Sequence, residues 1–178
     1  MRLFIATEFS ADITSYLSLL QKECKSLPAT QTFTHSFHLT YQFLGERSDS
    51  EVAQLKANLS KLVFHKIVGT LDQLGLFPER SSDPKVLWIG LSPEDQIMNL
   101  QKEIAKITGH VDDHPFSPHL TLSRIKSSQP GFVKSVRKIS IEKRPFTIES
   151  IKLVSSTLTP SGPIYQDILV VDAQALAR

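Results

Sequence analysis

Apolar and polar positions change their spacing along the first part of the chain. The opening segment, RLFIATEF, is a short apolar run of the kind that forms a strand. The apolar positions then recur every three or four residues, at Ile13, Leu17, Leu20, Cys24 and Leu27. This spacing is typical of one face of an amphipathic helix, and Pro28 marks its end. The pattern predicts a strand followed by a helix, with Ser10 or Asp12 as the helix cap.

The next segments alternate between strand and helix patterns. A second strand, SFHLTYQFLG, is expected to close at Gly45. Ser48, with Glu51 three residues later, forms a capping-box pattern that starts a second helix. The buried face of this helix is expected to contain Val52, Leu55, Leu59 and Leu62. The stretch from about Lys66 to Asp83 predicts a strand, a turn at Gly-Leu-Phe-Pro and a polar loop.

A third helix pattern follows another strand. KVLWIGL is a continuous apolar run. The Ser92-Pro93 pair after it is typical of a helix start, with serine as the cap and proline at the first helical position. The apolar stripe of this helix consists of Ile97, Leu100, Ile104 and Ile107. Gly109 is expected to end it. Further strands are predicted in FSPHLTLSRI, IESIKLVSSTL and YQDILVV.

The order strand, helix, strand occurs twice, and each time the second strand contains His-Leu-Thr. Leu3 precedes His38 by 35 residues, and Val86 precedes His119 by 33 residues. Two similar halves of this kind would pack as pseudo-symmetric lobes and offer the same strand to a shared cleft. We therefore predict an α+β fold with two lobes of mostly antiparallel sheet, helices outside and a central cleft.

The composition limits the classes to which the protein can belong. With 178 residues, 40% hydrophobic and 21% charged, the chain has an ordinary globular composition. A net charge of +2 is too small for a nucleic-acid coat protein but allows a local basic groove. No apolar run reaches the roughly 20 residues that span a membrane, and the N-terminus lacks a secretory signal pattern. The single cysteine, Cys24, cannot form an intramolecular disulfide, which favours a cytoplasmic protein.

The two His-Leu-Thr segments carry the strongest chemical signal. Residues two apart in a strand point to the same face, so His38 projects beside Thr40. His119 projects beside Thr121 for the same reason. Histidine acts as acid or base near neutrality, and a neighbouring hydroxyl can donate to a phosphoryl oxygen. Two such strands facing each other could deprotonate a nucleophile and protonate a leaving group, which favours phosphodiester cleavage without a metal ion.

The number of motifs decides how specific this signal is. With 6 histidines and 12 threonines among 178 residues, about 0.4 His-x-Thr triplets are expected at random. A single triplet is therefore a weak signal, whereas two in the same structural context indicate a function. The alternative is that both histidines are structural residues on strands that happen to contain threonine.

These motifs resemble those of the 2H phosphoesterase superfamily, specifically the bacterial and archaeal RNA 2′,3′-cyclic phosphodiesterases, also called 2′-5′ RNA ligases. The resemblance covers nearly the whole chain through MRLFIA, FHLTYQFLGE, KVLWIGL, FSPHLTLSR and SSTLTPSGPIY. Two features depart from the family. Tyr41 stands where a small aliphatic residue is usual, and THSF replaces a proline-containing approach to the first motif. Because Tyr41 is expected to point away from the cleft, we predict altered packing rather than lost activity.

The resemblance implies a fold, a reaction and roles for the motif residues. It implies a single domain over residues 1–178, in which two interleaved lobes each contribute one motif. It also implies metal-independent hydrolysis of RNA 2′,3′-cyclic phosphate ends, or small cyclic nucleotides, to 2′-phosphates. We expect a monomer that needs no cofactor. ATP-independent 2′-5′ ligation is implied as a further activity. His38 is then the proton donor and His119 the proton acceptor, roles that ligation could exchange, while Thr40 and Thr121 bind the substrate.

Arg124 is a further candidate for substrate binding. It lies five residues after His119, so strict alternation places it on the opposite face of the strand. The family often has an arginine at this place, and a bend in the strand would bring it to the cleft. Its guanidinium would hold a phosphate well there. The alternative is a solvated arginine at the strand end.

Several other residues have roles that the sequence leaves open. Phe4, Phe116 and Tyr165 lie in the family-matching blocks and could stack on a nucleobase or pack in the core. Trp88 is interpreted as a core residue. Metal-ligand residue types cluster in one loop, at His110, Asp112, Asp113 and His114. The sequence has no second cluster of such residues that could complete a coordination site, so no metal site is predicted.

Two alternatives to hydrolysis of RNA ends remain open on the sequence. The first keeps the site but changes the substrate to 2′-5′ oligonucleotides or other small cyclic phosphoesters. The second is a non-catalytic RNA or nucleotide binder that retained the cleft. The intact histidines and threonines of both motifs argue against the second alternative.

Overall fold

Nine strands and four helices make up the described part of the chain. The computed structural model describes residues 1–79, 81–110, 115–160 and 162–175. In chain order the elements are β1 (Arg2–Glu8), α1 (Ala11–Cys24), β2 (Ala29–Phe33), β3 (His38–Glu46), α2 (Asp49–Leu59), β4 (Ile67–Phe77), β5 (Val86–Ser92), α3 (Glu94–Thr108), β6 (His119–Ser128), α4 (Phe132–Val136), β7 (Pro145–Ile148), β8 (Ser150–Thr159) and β9 (Gly162–Asp172).

The strands form two antiparallel sheets, each belonging to one lobe. The first sheet has the order β3-β1-β8-β9, and the second has the order β2-β6-β5-β4-β7. The two His-Leu-Thr strands, β3 and β6, lie in different sheets and contact each other. Strands also cross between the sequence halves, because β2 joins the second sheet while β8 and β9 join the first. The predicted two-lobed α+β fold is confirmed.

The helices begin close to the predicted positions, but α1 ends at Cys24 and α2 at Leu59, so Leu27 and Leu62 of the predicted stripes lie beyond the helix ends. The Glu51 carboxylate accepts the backbone N–H of Ser48 at 2.8 Å, and the Ser48 hydroxyl accepts the backbone N–H of Glu51, so the predicted capping box starts α2. α3 has Pro93 as its N-cap, one residue later than expected, because Ser92 is still part of β5. Gly109 ends α3 in the left-handed conformation. None of the described helices has the length and hydropathy needed to cross a membrane.

β4 differs from the prediction, since it runs through the Gly-Leu-Phe segment to Phe77 instead of turning. Gly75 is required in this strand because the indole of Trp88 on β5 lies directly over it. A Cβ at this position would come within 2.1 Å of the indole ring. The glycine therefore serves close packing and not a turn. The strands β2 and β7 and helix α4 were not predicted because four or five residues show no clear periodicity.

The hydrophobic core fills the space between the sheets and the helices. Its residues include the stripes predicted for the three longer helices, with Ile107 only partly buried at the edge. Cys24 is fully buried among them. Each sheet has one face toward this core and a second face that carries the motif histidine. The second face is called the cleft face below. A second, small apolar cluster of Phe4, Ala6 and Val154 lies on the cleft face of the first sheet.

Candidate active site

A β-bulge in β3 sets the direction of the side chains after the first motif. Residues 40 and 42 pair with consecutive residues of β1, so Tyr41 is the extra residue. Tyr41 and Gln42 both turn to the interior, whereas His38 and Thr40 are half-buried on the cleft face. Phe43 returns to the cleft face because its β1 partner lies two residues from that of Thr40. It is 60% exposed there.

β6 carries the same bulge at the same place in its motif. Leu122 is the extra residue, since residues 121 and 123 pair with consecutive residues of β5. Leu122 and Ser123 are buried, and Arg124 is exposed. The β5 partners of Thr121 and Arg124 lie two residues apart, so both side chains share a face with His119. The bend that Arg124 needs in order to reach the cleft is therefore present.

Buried glutamines hold the two bulges in place. The carbonyl oxygen of Leu122 accepts a hydrogen bond from Gln21 Nε2 of α1 at 2.8 Å. In the other lobe, Gln42 donates to the carbonyl oxygen of His110 at 2.8 Å and accepts from the Thr108 hydroxyl at 2.7 Å. Each bulge is thus tied to a distant part of the chain, which leaves no buried amide of these glutamines without a partner.

His38 lies between two aromatic rings on the first sheet. Its ring centroid is 5.3 Å from that of Phe4 and 5.5 Å from that of Tyr165. Nδ1 makes a hydrogen bond of 3.3 Å with the hydroxyl of Ser36. Burial lowers the pKa of His38, the negative charge of Glu8 raises it, and the charge of His119 lowers it. The influence of His119 agrees with the contact between β3 and β6, which brings the two motifs to one cleft.

His119 has a corresponding but less polar setting on the second sheet. Its ring packs edge-on against Phe77, with centroids 5.0 Å apart, and lies 6.1 Å from Trp88. Nδ1 lies 2.8 Å from the carbonyl oxygen of Ser117. Because a carbonyl oxygen only accepts, Nδ1 carries the proton and Nε2 of the neutral ring has a free lone pair. Burial lowers the pKa of His119, and the bond to Ser117 opposes this effect.

Three charged side chains on the first sheet were missed by the sequence reasoning. Glu8 pairs with His38 across β1 and β3, so their side chains lie side by side on the cleft face. Lys152 of β8 bonds to Glu8 at 2.5 Å and to Asp167 of β9 at 2.7 Å. Strand alternation alone could have placed Glu8 beside the motif face. The link to Lys152 joins residues 144 positions apart, and no local pattern reveals it.

Tyr41 points away from the cleft, as predicted. It is 1% exposed, and its hydroxyl lies 3.1 Å from that of Thr7. Thr7 donates its own proton to the Ser150 carbonyl at 2.7 Å, so Tyr41 is the donor in this pair. Burial raises the pKa of Tyr41. Phe116 stacks on Tyr41 with centroids 6.1 Å apart, so this aromatic residue belongs to the packing beneath the motif.

The remaining candidates divide between packing and the cleft. Trp88 is 8% exposed and thus buried as expected, but it also supports the ring of His119. Its indole Nε1 has no hydrogen-bond partner among the described residues. The loop that carries the metal-ligand residue types lies mostly outside the described residues, which exclude Asp112, Asp113 and His114. Within the described ranges, no three histidine, cysteine or carboxylate side chains come close enough to hold a metal ion.

Comparison with known protein families agrees with the internal repeat. The model of the family described as LigT like Phosphoesterase matches residues 3–88 and again residues 89–165. The two matches divide the chain into halves that each contain one His-Leu-Thr strand. The repeat inferred from the order of the elements is therefore also a repeat of one family pattern.

Relatives and solved structures cover almost the whole chain. The RNA 2′,3′-cyclic phosphodiesterase of Archaeoglobus fulgidus is 31% identical over 177 residues, which cover 97% of this chain and 100% of the relative. The protein of the same name from Methanocaldococcus jannaschii is 32% identical over 179 residues, with coverage of 94% and 98%. The crystal structure of E. coli LigT complexed with 3′-AMP has a TM-score of 0.78 and 20% identity, with 98% of each chain covered. This chain therefore belongs to the LigT-like phosphoesterase family and is a phosphodiesterase of the 2H class.

Proposed function

We propose that this protein hydrolyses 2′,3′-cyclic phosphates at RNA ends to 2′-phosphates, with His119 as the base and His38 as the acid. The observation that carries this proposal is the pair of half-buried imidazoles on matching bulged strands, β3 and β6, which contact each other. A relative of this chain named RNA 2′,3′-cyclic phosphodiesterase, from Archaeoglobus fulgidus, supports the choice of substrate.

His119 is suited to remove a proton from the attacking water. The Ser117 carbonyl holds the proton on Nδ1, and this leaves Nε2 to accept one. The water oxygen then forms a bond to phosphorus while the bond from phosphorus to the ribose 3′ oxygen breaks. Burial lowers the pKa of His119, which keeps the neutral, basic form present near neutrality.

His38 is suited to donate a proton to the departing 3′ oxygen. Burial lowers the pKa of His38, and the nearby Glu8 charge opposes this effect, so Glu8 partly restores the protonated form that an acid needs. The proton removed from water rests on His119 and the proton lost by His38 rests on the new 3′ hydroxyl. The products are a 2′-phosphate and a 3′ hydroxyl, and solvent exchange restores both imidazoles.

Charge on the phosphate is expected to be held by Thr40, Thr121 and Arg124. All three side chains lie on the cleft faces that carry the histidines. Hydroxyl and guanidinium donors stabilise the additional negative charge that forms on the nonbridging oxygens in the transition state. No step of this scheme requires a metal ion or a cofactor, so we propose activity in the presence of excess chelator.

The two cleft faces favour one orientation of the nucleotide. Phe43 and Arg124 occupy equivalent places, two positions after the extra residue of each bulge. An exposed phenyl ring offers a surface on which a base can stack, whereas a guanidinium attracts phosphates. We therefore place the terminal base toward Phe43 on the first sheet and the phosphate toward Arg124 on the second.

The same site would support 2′-5′ ligation of RNA ends. A 5′ hydroxyl that replaces water would be deprotonated by one histidine and would attack the same phosphorus. Cleavage of the bond to the 3′ oxygen then leaves a 2′-5′ linkage and needs no ATP. We further propose that the protein acts as a cytoplasmic monomer, since one chain supplies both motifs and its only cysteine is buried and unbonded.

Turnover of defined substrates tests this proposal. Cytidine 2′,3′-cyclic phosphate should give the 2′-phosphate, with or without EDTA, and His38→Ala and His119→Ala should each lose this activity. His35→Ala is a matched control, because His35 is exposed just before the first motif. Faster cleavage of a 2′-5′-linked dinucleotide would favour the alternative substrate class. Binding of the 2′-phosphate without any turnover would favour a non-catalytic binder and contradict the proposal.

A further inference from the structure

The cleft face of the first sheet carries charged side chains at positions where the second sheet has none. Glu8 pairs with His38, and the corresponding partner of His119 is Gly90. Lys152 lies on the strand beyond Glu8, and the corresponding residue of the second sheet is Gly75. The two histidines are thus related by the repeat, but only one of them has charged neighbours of this kind.

The first sheet keeps its charges in a defined order. Lys152 is only 19% exposed, and its ammonium group lies between the carboxylates of Glu8 and Asp167 at 2.5 and 2.7 Å. The three side chains together carry a net charge of about −1. The side chains of Glu8 and Asp167 are 55% and 43% exposed, so water weakens their field but does not remove it.

We propose that Glu8, Lys152 and Asp167 form a charge network that holds His38 in the proton-donating role, with Glu8 as the positioning residue. The proposal rests on the function proposed above, in which His38 is the acid. Glu8 does not bond to the imidazole, whose Nδ1 is taken by Ser36, and acts through its charge. Lys152 limits this action because it neutralises part of the charge of Glu8.

The second sheet has no carboxylate beside its histidine, because the residue paired with His119 is Gly90, and Arg124 lies further along the same face. Burial lowers the pKa of His119. The cleft therefore has a negative side at His38 and a positive side at Arg124. This asymmetry assigns the acid and the base, which two equivalent motifs alone would leave interchangeable.

Among the residues that the structure describes, the charged and titratable groups that face His38 come from four strands. They are Glu8 from β1, Lys152 from β8, Asp167 and Tyr165 from β9, and His119 from β6. Of these, Glu8 is the carboxylate directly opposite His38. The raising effect of its charge on the pKa of His38 agrees with this geometry.

Substitutions at the two ends of the ion pair should move the pH profile in opposite directions. An acid catalyst must be protonated, so the alkaline limb of kcat/KM follows the pKa of His38. Glu8→Gln removes the negative charge, so the alkaline limb should move to lower pH. At pH values above the limb, kcat/KM should fall roughly threefold to tenfold. Lys152→Met leaves both carboxylates uncompensated, and the limb should move to higher pH. The acid limb, which follows His119, should stay in place in both variants.

Controls separate this effect from damage to the fold. Lys66→Met breaks an ion pair of similar length with Glu149, 2.6 Å, outside the cleft, and should leave the profile unchanged. Lys152→Arg should restore the wild-type profile because it retains the charge. NMR titration of the His38 ring in the free variants measures its pKa directly and does not depend on turnover.

Three results would contradict the inference. One is an alkaline limb that does not move in either variant, and another is a shift of both variants in the same direction. The third is a rise in KM at every pH in Lys152→Met, which would make Lys152 a direct phosphate ligand. Full activity of His38→Ala would instead contradict the proposed function itself, so the two failures are distinguishable.

Discussion

The two lobes place a histidine at the same point of the same bulged strand, but they surround it with different chemistry. Each imidazole packs against two aromatic rings. His38 also lies beside a side-chain hydroxyl and beside a carboxylate that binds a lysine. His119 instead bonds to a backbone carbonyl, with Arg124 further along the strand. The repeated backbone provides symmetric positions, and the side chains then make the two positions chemically different.

This difference shows which part of an active site a repeat can supply. Strand pairing and the bulge determine where each imidazole lies, and both are determined by the backbone and the core. The protonation state of each imidazole depends instead on side chains that approach from neighbouring strands. A repeated motif can therefore specialise through its neighbours while the motif itself stays unchanged.

The largest effect is expected from removal of either histidine. His38→Ala and His119→Ala should each lower kcat by about 10²- to 10⁴-fold, the usual contribution of general acid or base catalysis. A cyclic phosphate with sulfur in place of the 3′ oxygen should separate them, because a thiolate leaves without a proton. His38→Ala should recover most activity on this analogue, and His119→Ala should not. Equal losses on both substrates would show that the roles are not divided as proposed.

The second effect concerns the equivalent positions Arg124 and Phe43. Arg124→Ala should lower kcat/KM by about tenfold to a hundredfold, since it removes charge-assisted bonds to the phosphate. Phe43→Ala should cost roughly 1–3 kcal/mol of binding free energy, and only for substrates that carry a base. Steady-state kinetics on a cyclic nucleotide and on ribose 2′,3′-cyclic phosphate distinguishes the two.

The outcome for each substrate decides whether this part of the comparison holds. If Phe43→Ala weakens the binding of both substrates equally, the ring supports the strand and does not bind a base. Arg124→Lys keeps the charge but loses the planar fork, and partial activity is expected. Wild-type kinetics in Arg124→Ala would show that Arg124 is a solvated residue at the strand end and does not bind the phosphate.

The third effect concerns Gly75, which occupies the position in the second lobe that Lys152 occupies in the first. In Gly75→Ala the added methyl group meets the Trp88 indole at 2.1 Å, so the ring beside His119 must move. We expect a loss of about 1–3 kcal/mol in the free energy of unfolding, measured by urea titration, together with lower kcat. Gly90→Ala is the matched control, because its nearest contact with the same ring is an ordinary 3.5 Å. Equal stability of the two variants would contradict this account.

Much of the fold could be predicted because local patterns determine it. The apolar stripes of the helices, the capping box at Ser48 and the terminal Gly109 depend on residues within a few positions of one another. The prediction for β4 was wrong for the opposite reason, because Gly75 is required by close packing against Trp88 on another strand. The nearby sequence, Gly-Leu-Phe-Pro, is also a common turn pattern.

The candidate site divides along the same line. His38, Thr40, His119 and Thr121 follow from a short motif read with strand alternation, and the structure places them on the two cleft faces. The face of β6 to which Arg124 belongs could not be derived, because strand alternation fails at the Leu122 bulge. No pattern in a single sequence marks the position of that bulge. The contact between Lys152 and Glu8 depends on the order of strands in the sheet, which the motif does not contain.

The smallest effect concerns the hydrogen bonds that orient the two rings. Ser36 holds His38 through its side chain, whereas Ser117 holds His119 through its backbone carbonyl. Ser36→Ala should therefore lower kcat about twofold to tenfold, the value of one neutral hydrogen bond. Ser117→Ala removes no bond to the imidazole and should have wild-type kinetics. Both limbs of the pH profile should stay in place, since neither change alters a charge. A larger loss in Ser117→Ala than in Ser36→Ala would mean that the Ser117 hydroxyl has a role of its own at the phosphate.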